Sequence, residues 1–236
     1  MISEHFFPDR DSMFVALLKD CTTIMRTATE QKERATLLVS GGSTPMPLYQ
    51  KLSEVELAWS KVCIALVDER WVDVDHAGSN AASIHKNLLQ NRASEATFVA
   101  LKTTQKTAVL GQSLCEQAYR QLPRPFDLTI LGMGPDGHTA SLFPAAQGLE
   151  AALDARNKDL CAAITANPSE VTGELTERLS LTLSGLLQSR QLHLLITGAD
   201  KFSVYQRALA SSDEMLMPVS AILHQNKIPI MVYWAP

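Results

Sequence analysis

Leu131–Pro144 reads LGMGPDGHTASLFP and sets Asp136 and His138 two residues apart in a glycine-rich turn. A neutral imidazole can take a proton from water at neutral pH and later return it. A carboxylate two residues away can orient that ring or contact a substrate directly. The same stretch also carries Gly132, Gly134 and Gly137 at the G-x-G-x-x-G spacing of a dinucleotide-binding turn. Context argues against that second reading, because a dinucleotide site needs a second strand ending in an acidic residue about 20 residues on. The following AAQGLEAALDARNKD is helical or irregular in pattern, and Pro135 and Asp136 stand where small residues let a helix start lie against pyrophosphate. The glycines are therefore read as shaping a turn that presents Asp136 and His138. His5, His76, His85, His193 and His224 have no such surroundings and are read as structural or solvated.

Three further loops carry ligand-like residues. In Ser40-Gly41-Gly42-Ser43-Thr44-Pro45, two glycines allow close backbone approach and positive φ. Ser43 and Thr44 offer hydroxyl donors, and Pro45 suits the first turn of a following helix. Free N–H groups at such a helix start favour an anion, most often phosphate; an ordinary tight turn is the competing reading, and the spacing is not that of a P-loop. The second loop begins Asp68-Glu69-Arg70-Trp71, and the third is Thr197-Gly198-Ala199-Asp200-Lys201. Lys201 sits at a helix start, where a cation opposes the helix dipole, so anion binding competes there with a plain solvated lysine. Arg70, beside two carboxylates, is either a structural ion pair or an anion clamp. Arg178, in TERLSLTL, has the same two readings. Guanidinium groups match phosphate oxygens bidentately, so two Arg, one Lys and backbone donors together suit a sugar phosphate. No H-E-x-x-H or carboxylate–histidine cluster points to a metal, and no G-x-S-x-G elbow points to a serine hydrolase. Hydrolysis with neither metal, cofactor nor covalent intermediate requires a labile bond, such as a lactone ester.

The elements that must hold these loops alternate along the chain. Ala35–Ser40, Val62–Glu69, Phe126–Gly132 and Leu192–Gly198 are near-continuous apolar runs, the pattern of strands buried on both faces of a parallel sheet. Leu160–Ala166, Arg178–Leu183 and Ile228–Trp234 are further strand candidates. Helical periodicity marks Asp11–Glu30, Pro45–Leu52, Ser79–Leu89, Gln105–Gln121 and Asp200–Ala210. Alternation of this kind implies βαβ units and a single α/β domain over residues 1–236, with a mostly parallel, Rossmann-like sheet and helices on both faces. Parallel strands all end at one edge, where open α/β folds bind ligands. The four loops should therefore converge.

Bulk properties agree with that reading. Hydrophobic residues make up 46% of the 236, enough to bury a substantial core, and the net charge of −4 argues against nucleic acid as the main partner. A local cationic cluster can still bind a small anion. Cys21, Cys63, Cys115 and Cys161 lack metal or redox spacing and read as core residues of a reduced compartment. The N-terminus lacks a secretory pattern, and no apolar run nears the ~20 residues that span a bilayer. A soluble, cytoplasmic protein without membrane partners is expected.

Taken in order, SGGSTP, DERWVDVDHAGSN, LGMGPDGHTASLFP, TERLSLTL and TGADK resemble the signature segments of 6-phosphogluconolactonases. The resemblance runs from about Ser40 to Lys201. It implies a fold like that of glucosamine-6-phosphate deaminase and ribose-5-phosphate isomerase, and cofactor-free hydrolysis of 6-phospho-D-glucono-1,5-lactone in the pentose phosphate pathway. By that resemblance His138 matches the general base for water and Asp136 its acidic partner. Gly41, Gly42, Ser43, Arg70, Arg178 and Lys201 match positions around the sugar phosphate, and Thr44 and Asp68 lie on the same loops. Either kind of basic group can meet the phosphate and the other the lactone carbonyl. The chain departs from the pattern after Trp234, where members often continue with an Asp and small residues. Two rivals share the fold. A glucosamine-6-phosphate isomerase would need a Glu where Ser141-Leu142-Phe143-Pro144 stands, and a non-catalytic sugar-phosphate sensor would have no use for His138 and Asp136.

Overall fold

The computed structural model describes residues 1–236. In chain order the first half comprises β1 (Ile2–Phe6), α1 (Arg10–Gln31), β2 (Ala35–Val39), α2 (Met46–Ser53), β3 (Val62–Leu66), β4 (Asp68–Arg70), α3 (Asn80–Asn87), β5 (Thr97–Val99) and α4 (Ala108–Arg120). The second half adds β6 (Leu128–Gly132), α5 (Leu149–Leu153), β7 (Cys161–Thr165), β8 (Glu177–Leu181), α6 (Leu183–Leu186), β9 (Leu192–Thr197), α7 (Ala199–Ala210), α8 (Val219–His224) and β10 (Ile230–Ala235).

Seven strands form an all-parallel sheet in the order β1-β10-β9-β6-β2-β3-β5, flanked by helices. Every residue of β2 and β3 is buried, which is why these strands read as unbroken apolar runs. Helix α1 lies across β2, β6 and β10. Its fully buried Met13, Leu17, Cys21 and Met25 recur every four residues, so one stripe of the helix faces the sheet. Asp9 starts it, accepting the Ser12 amide at 2.7 Å, a cap worth about 1 kcal/mol. Removing a core side chain such as Leu17 by alanine substitution costs about 2–5 kcal/mol. No helix is long and apolar enough to cross a membrane.

One expectation needs correction. Val62–Glu69 is not one strand. Val67 donates to Val39 O at 3.0 Å and accepts from Leu181 N at 2.8 Å, so it joins the parallel sheet on one side and a different partner on the other. The chain then leaves the sheet, and Asp68–Arg70 becomes β4. The segments around Leu160–Ala166 and Arg178–Leu183 are strands, as expected, and lie outside the parallel sheet. As β7 and β8 they pair antiparallel with β4 in a separate three-stranded sheet of order β4-β8-β7. Apolar patterning reports burial, and it is silent on which strand will be the neighbour. Strands β1 and β5, short and partly exposed, gave no such pattern.

The small sheet matters for chemistry because of its register. Asp68 pairs with Ser180 and Arg70 with Arg178. Side chains alternate across a strand, so these four residues project from one face, toward the ends of β2, β6 and β9.

Candidate active site

The turn after β6 is built around the imidazole of His138. Gly134 N donates to His138 O at 2.9 Å, Gly137 N to Gly134 O at 3.1 Å, and Thr139 Oγ1 to Gly132 O at 2.9 Å. The glycines have separate tasks. A Cβ on Gly134 would fall 2.1 Å from the His138 ring. Gly137 has φ of 80° and would drive a Cβ to 1.9 Å from Met217 Sδ. Neither position admits a side chain, and neither reason involves a dinucleotide.

Asp136 Oδ1 lies 2.5 Å from His138 Nδ1 and also accepts the His138 amide at 3.2 Å. Burial alone would raise the Asp136 pKa, but the hydrogen bonds and positive charge of His138 outweigh it and hold the carboxyl below its ordinary value. The aspartate is therefore ionised at neutral pH and acts as acceptor. That places the neutral ring's proton on Nδ1 and its lone pair on Nε2. Nε2 has no partner within the protein, and His138 lines an open cleft of about 240 Å³.

The loop after β2 forms another wall of this cleft. Only Gly42 of its two glycines has positive φ, at 83°. Gly41 is required for a different reason: a Cβ there would stand 1.9 Å from Asn80 Oδ1. The amides of Gly41, Gly42, Ser43 and Thr44 donate to no acceptor within the chain, and the hydroxyls of Ser43 and Thr44 are equally unengaged. Helix α2 begins at Met46, one residue after Pro45. A run of free amides at a helix start is an anion receptor.

The small sheet supplies cations without counterions. Neither Arg70 nor Arg178 forms an ion pair with a carboxylate, so the ion-pair alternative for Arg70 is not realised. Arg178 is 4% exposed; its Nε and Nη2 donate to Leu175 O at 2.6 Å and Thr172 O at 3.0 Å. Arg70 Nη1 donates to Gly78 O, and its buried Nε has no partner. Burial first, then the neighbouring charge of Arg70, lowers the Arg178 pKa to about 10, which still leaves it protonated at neutral pH. Lys201, at the start of α7, also lines the cleft. Its pKa is lowered by burial and partly restored by Asp136. A buried and a half-buried guanidinium and an ammonium, none in direct ion-pair contact with a carboxylate, favour a ligand that brings negative charge.

Asp68 is held differently from what its place in a ligand loop suggested. Its Oδ2 accepts Ser141 Oγ at 2.6 Å, while Asn80 Nδ2 donates to its backbone O at 2.9 Å. It borders the cleft but also ties β4 to the His138 turn. Glu69, fully buried, accepts the amides of Arg70, Asn80 and Ala81 at 2.8, 2.7 and 2.8 Å. It thereby docks the start of α3 against β4 and sets Asn80 beneath Gly41. Burial raises the Glu69 pKa, and those amides pull it back.

The chain matches, over residues 8–234, the model of a family described as glucosamine-6-phosphate isomerases/6-phosphogluconolactonase. A 6-phosphogluconolactonase of Rhizobium meliloti strain 1021 is 39% identical over 232 residues, covering 98% of each chain. One from Pseudomonas putida is 38% identical over 235 residues, covering 100% of this chain and 93% of its own. The crystal structure of a 6-phosphogluconolactonase from Shewanella baltica superposes with a TM-score of 0.94 at 40% identity, covering 100% of this chain and 98% of that one. The chain belongs to the glucosamine-6-phosphate isomerase/6-phosphogluconolactonase family.

Within this family fold, every residue singled out from the sequence except Asp136 lines the one cleft, and Asp136 touches it through His138. Asn80, Ser141, Glu69 and Phe143 were missed. Asn80 at the start of α3, Ser141 and Glu69 all lie within segments that carry the family resemblance, but nothing local singles them out as facing or supporting the site. Phe143 drew no reading from the sequence beyond its place in the same segment, yet its ring centroid stands 4.2 Å from that of His138. Of the other histidines, His193 is buried in the sheet, and His76 accepts the Gly78 amide at 2.9 Å.

Proposed function

We propose that this chain hydrolyses 6-phospho-D-glucono-1,5-lactone to 6-phospho-D-gluconate, the lactone-opening step of the oxidative pentose phosphate pathway, and that residues 1–236 act as one catalytic domain. The observation that carries the reading is His138: Asp136 engages Nδ1, and Nε2 opens onto a cleft whose cations and amides have no anionic partner.

In this reading Gly41, Gly42, Ser43, Thr44, Arg70, Arg178 and Lys201 divide two negative charges between them, the phosphate and the oxygen that becomes anionic. Asp68 borders the sugar. His138 Nε2 takes a proton from water as its oxygen attacks C1, forming a tetrahedral intermediate. An amide or cation at the cleft wall stabilises the oxyanion. The C1–ring oxygen bond then breaks, Nε2–H returns its proton to the departing oxygen, and the carboxylic acid ionises. One water is consumed, and no cofactor or metal enters the scheme. Asp136 keeps the ring in the required tautomer and favours the imidazolium, the part an aspartate takes beside other catalytic histidines.

Four free, buried cysteines support a reducing, cytoplasmic setting, and the net charge of −4 supports a small-molecule partner over nucleic acid. The test is hydrolysis of freshly generated lactone, read through coupled 6-phosphogluconate dehydrogenase with spontaneous opening subtracted. Acceleration by the protein supports the reading. A rate no faster than the uncatalysed one rejects it.

A further inference from the structure

The scheme above leaves Phe143 without a task, although its ring touches two working groups. Phe143 is 4% exposed and lines the cleft. Its ring centroid lies 4.2 Å from that of His138 with 36° between the planes, and the guanidinium carbon of Arg178 stands 5.3 Å from the same ring. A local cause brings it there. Ala140 adopts a left-handed φ of 50°, and Leu142 N donates to Thr139 O at 3.0 Å. The chain therefore folds back on itself within five residues and lays Phe143 against His138. A non-glycine residue in that backbone region carries strain, which persists where surrounding structure holds it and clusters at functional sites.

Each neighbour of Phe143 is incompletely held without it. The single bond from Nδ1 to Asp136 fixes one edge of the imidazole and lets the ring swing about that edge. Gly134 closes on the Cε1–Nδ1 side only. Arg178 is tied through Nε and Nη2 to backbone carbonyls and has no carboxylate partner. An aromatic face fits both vacancies, packing against an imidazole and attracting a cation.

We propose that Phe143 is a positioning residue that holds the base ring and the anion-binding guanidinium in register through one aromatic ring. The inference rests on the lactonase reading. If Phe143 were only core filling, its loss would reduce the folded fraction and leave kcat and KM per folded molecule unchanged.

The experiment compares wild type, Phe143→Leu and Phe143→Tyr on fresh lactone, with the folded fraction of each measured by circular dichroism. The Leu variant is expected to lose about 2- to 10-fold in kcat and gain about 2- to 10-fold in KM, from one aromatic and one cation–π contact. The Tyr variant, which keeps the ring, should stay within about 2-fold of wild type in both. Affinity for inorganic phosphate, measured by calorimetry, should weaken in the Leu variant in step with KM. A Leu variant with wild-type constants, a change in only one of kcat and KM, or a Tyr variant no better than Leu would each overturn the proposal. Should the Leu variant fail to fold, Phe143→Met carries the same comparison. A wild type that does not accelerate lactone opening sinks the lactonase reading instead, and calorimetry then still decides the Arg178 half.

Discussion

His138 and His193 place the same side chain in two environments, and nearly everything that separates them is neighbourhood. His138 stands half-buried at the end of β6, with a carboxylate 2.5 Å from Nδ1 and Nε2 open to the cleft. His193 is in the parallel sheet, 1% exposed, with Cys21 Sγ 4.0 Å from Nδ1 and the Tyr233 ring tilted by 49° at a centroid distance of 5.1 Å. Burial pushes the His193 pKa down to about 4, and the more distant Asp20 recovers only part of that shift. A proton on the first ring would sit beside a carboxylate at the edge of an open cleft. For the second, gaining one means placing a charge in the core. A histidine is fitted for chemistry where a counter-charge and solvent meet, and for packing where neither reaches.

The largest expected effect breaks the pair apart. His138→Ala should lower kcat by ~10²–10⁴, the usual span for loss of a general base, with the melting temperature nearly unchanged. His193→Leu should do the reverse, leaving turnover intact. Equal turnover by His138→Ala and wild type would remove His138 from the mechanism.

The next effect lies in stability against pH. The folded-state pKa of His193 is depressed, so between about 4 and 6.5 the unfolded chain binds the proton that the folded chain refuses. The contribution is fully present above 6.5 and is lost as pH falls toward 4, for about 3 kcal/mol in all. Urea unfolding at stepped pH should show this slope in wild type and a flatter one in His193→Leu. Matching slopes would mean that other groups govern acid unfolding.

Smaller effects test whether the cations at the site await an anion. Arg178→Met should raise KM by about 10-fold or more, the range of a lost charge-assisted hydrogen bond, with a modest loss of stability, since Leu175 O and Thr172 O lose a donor but no ion pair is broken. A variant that melts markedly lower with unchanged KM would make Arg178 structural. The smallest expected change belongs to Lys201. Its lowered pKa means the ammonium is lost at lower pH than for a free lysine, so KM should begin to climb below pH 10.5 in wild type. In Lys201→Met that part of the profile should be flat.

Part of this arrangement is legible in the sequence. The apolar runs of β2, β6 and β9 identify themselves because both faces are buried, and the turn residues after them announce loops that can bind an anion. The role of Gly41 was legible only in part: small size was evident, but its reason is the Asn80 side chain beneath it, 39 residues along the chain. Glu69 was opaque, since nothing local says that a carboxylate will be fully buried and capped by three amides. The break at Val67 was opaque as well, because Val67 is as apolar as its neighbours.

By itself the sequence determined the local matters: where the fully buried strands and the longer helices lie, which turns carry glycine, and which residues carry protons and charge. Those follow from periodicity, backbone sterics and side-chain chemistry within a few residues. Tertiary structure alone decided that Arg70 would face Arg178, that the Phe143 ring would touch both His138 and Arg178, and that His193 would be buried in the core. Those outcomes depend on strand pairing and burial between segments far apart in the chain, and the energy of such contacts exists only once the whole sheet has closed around them.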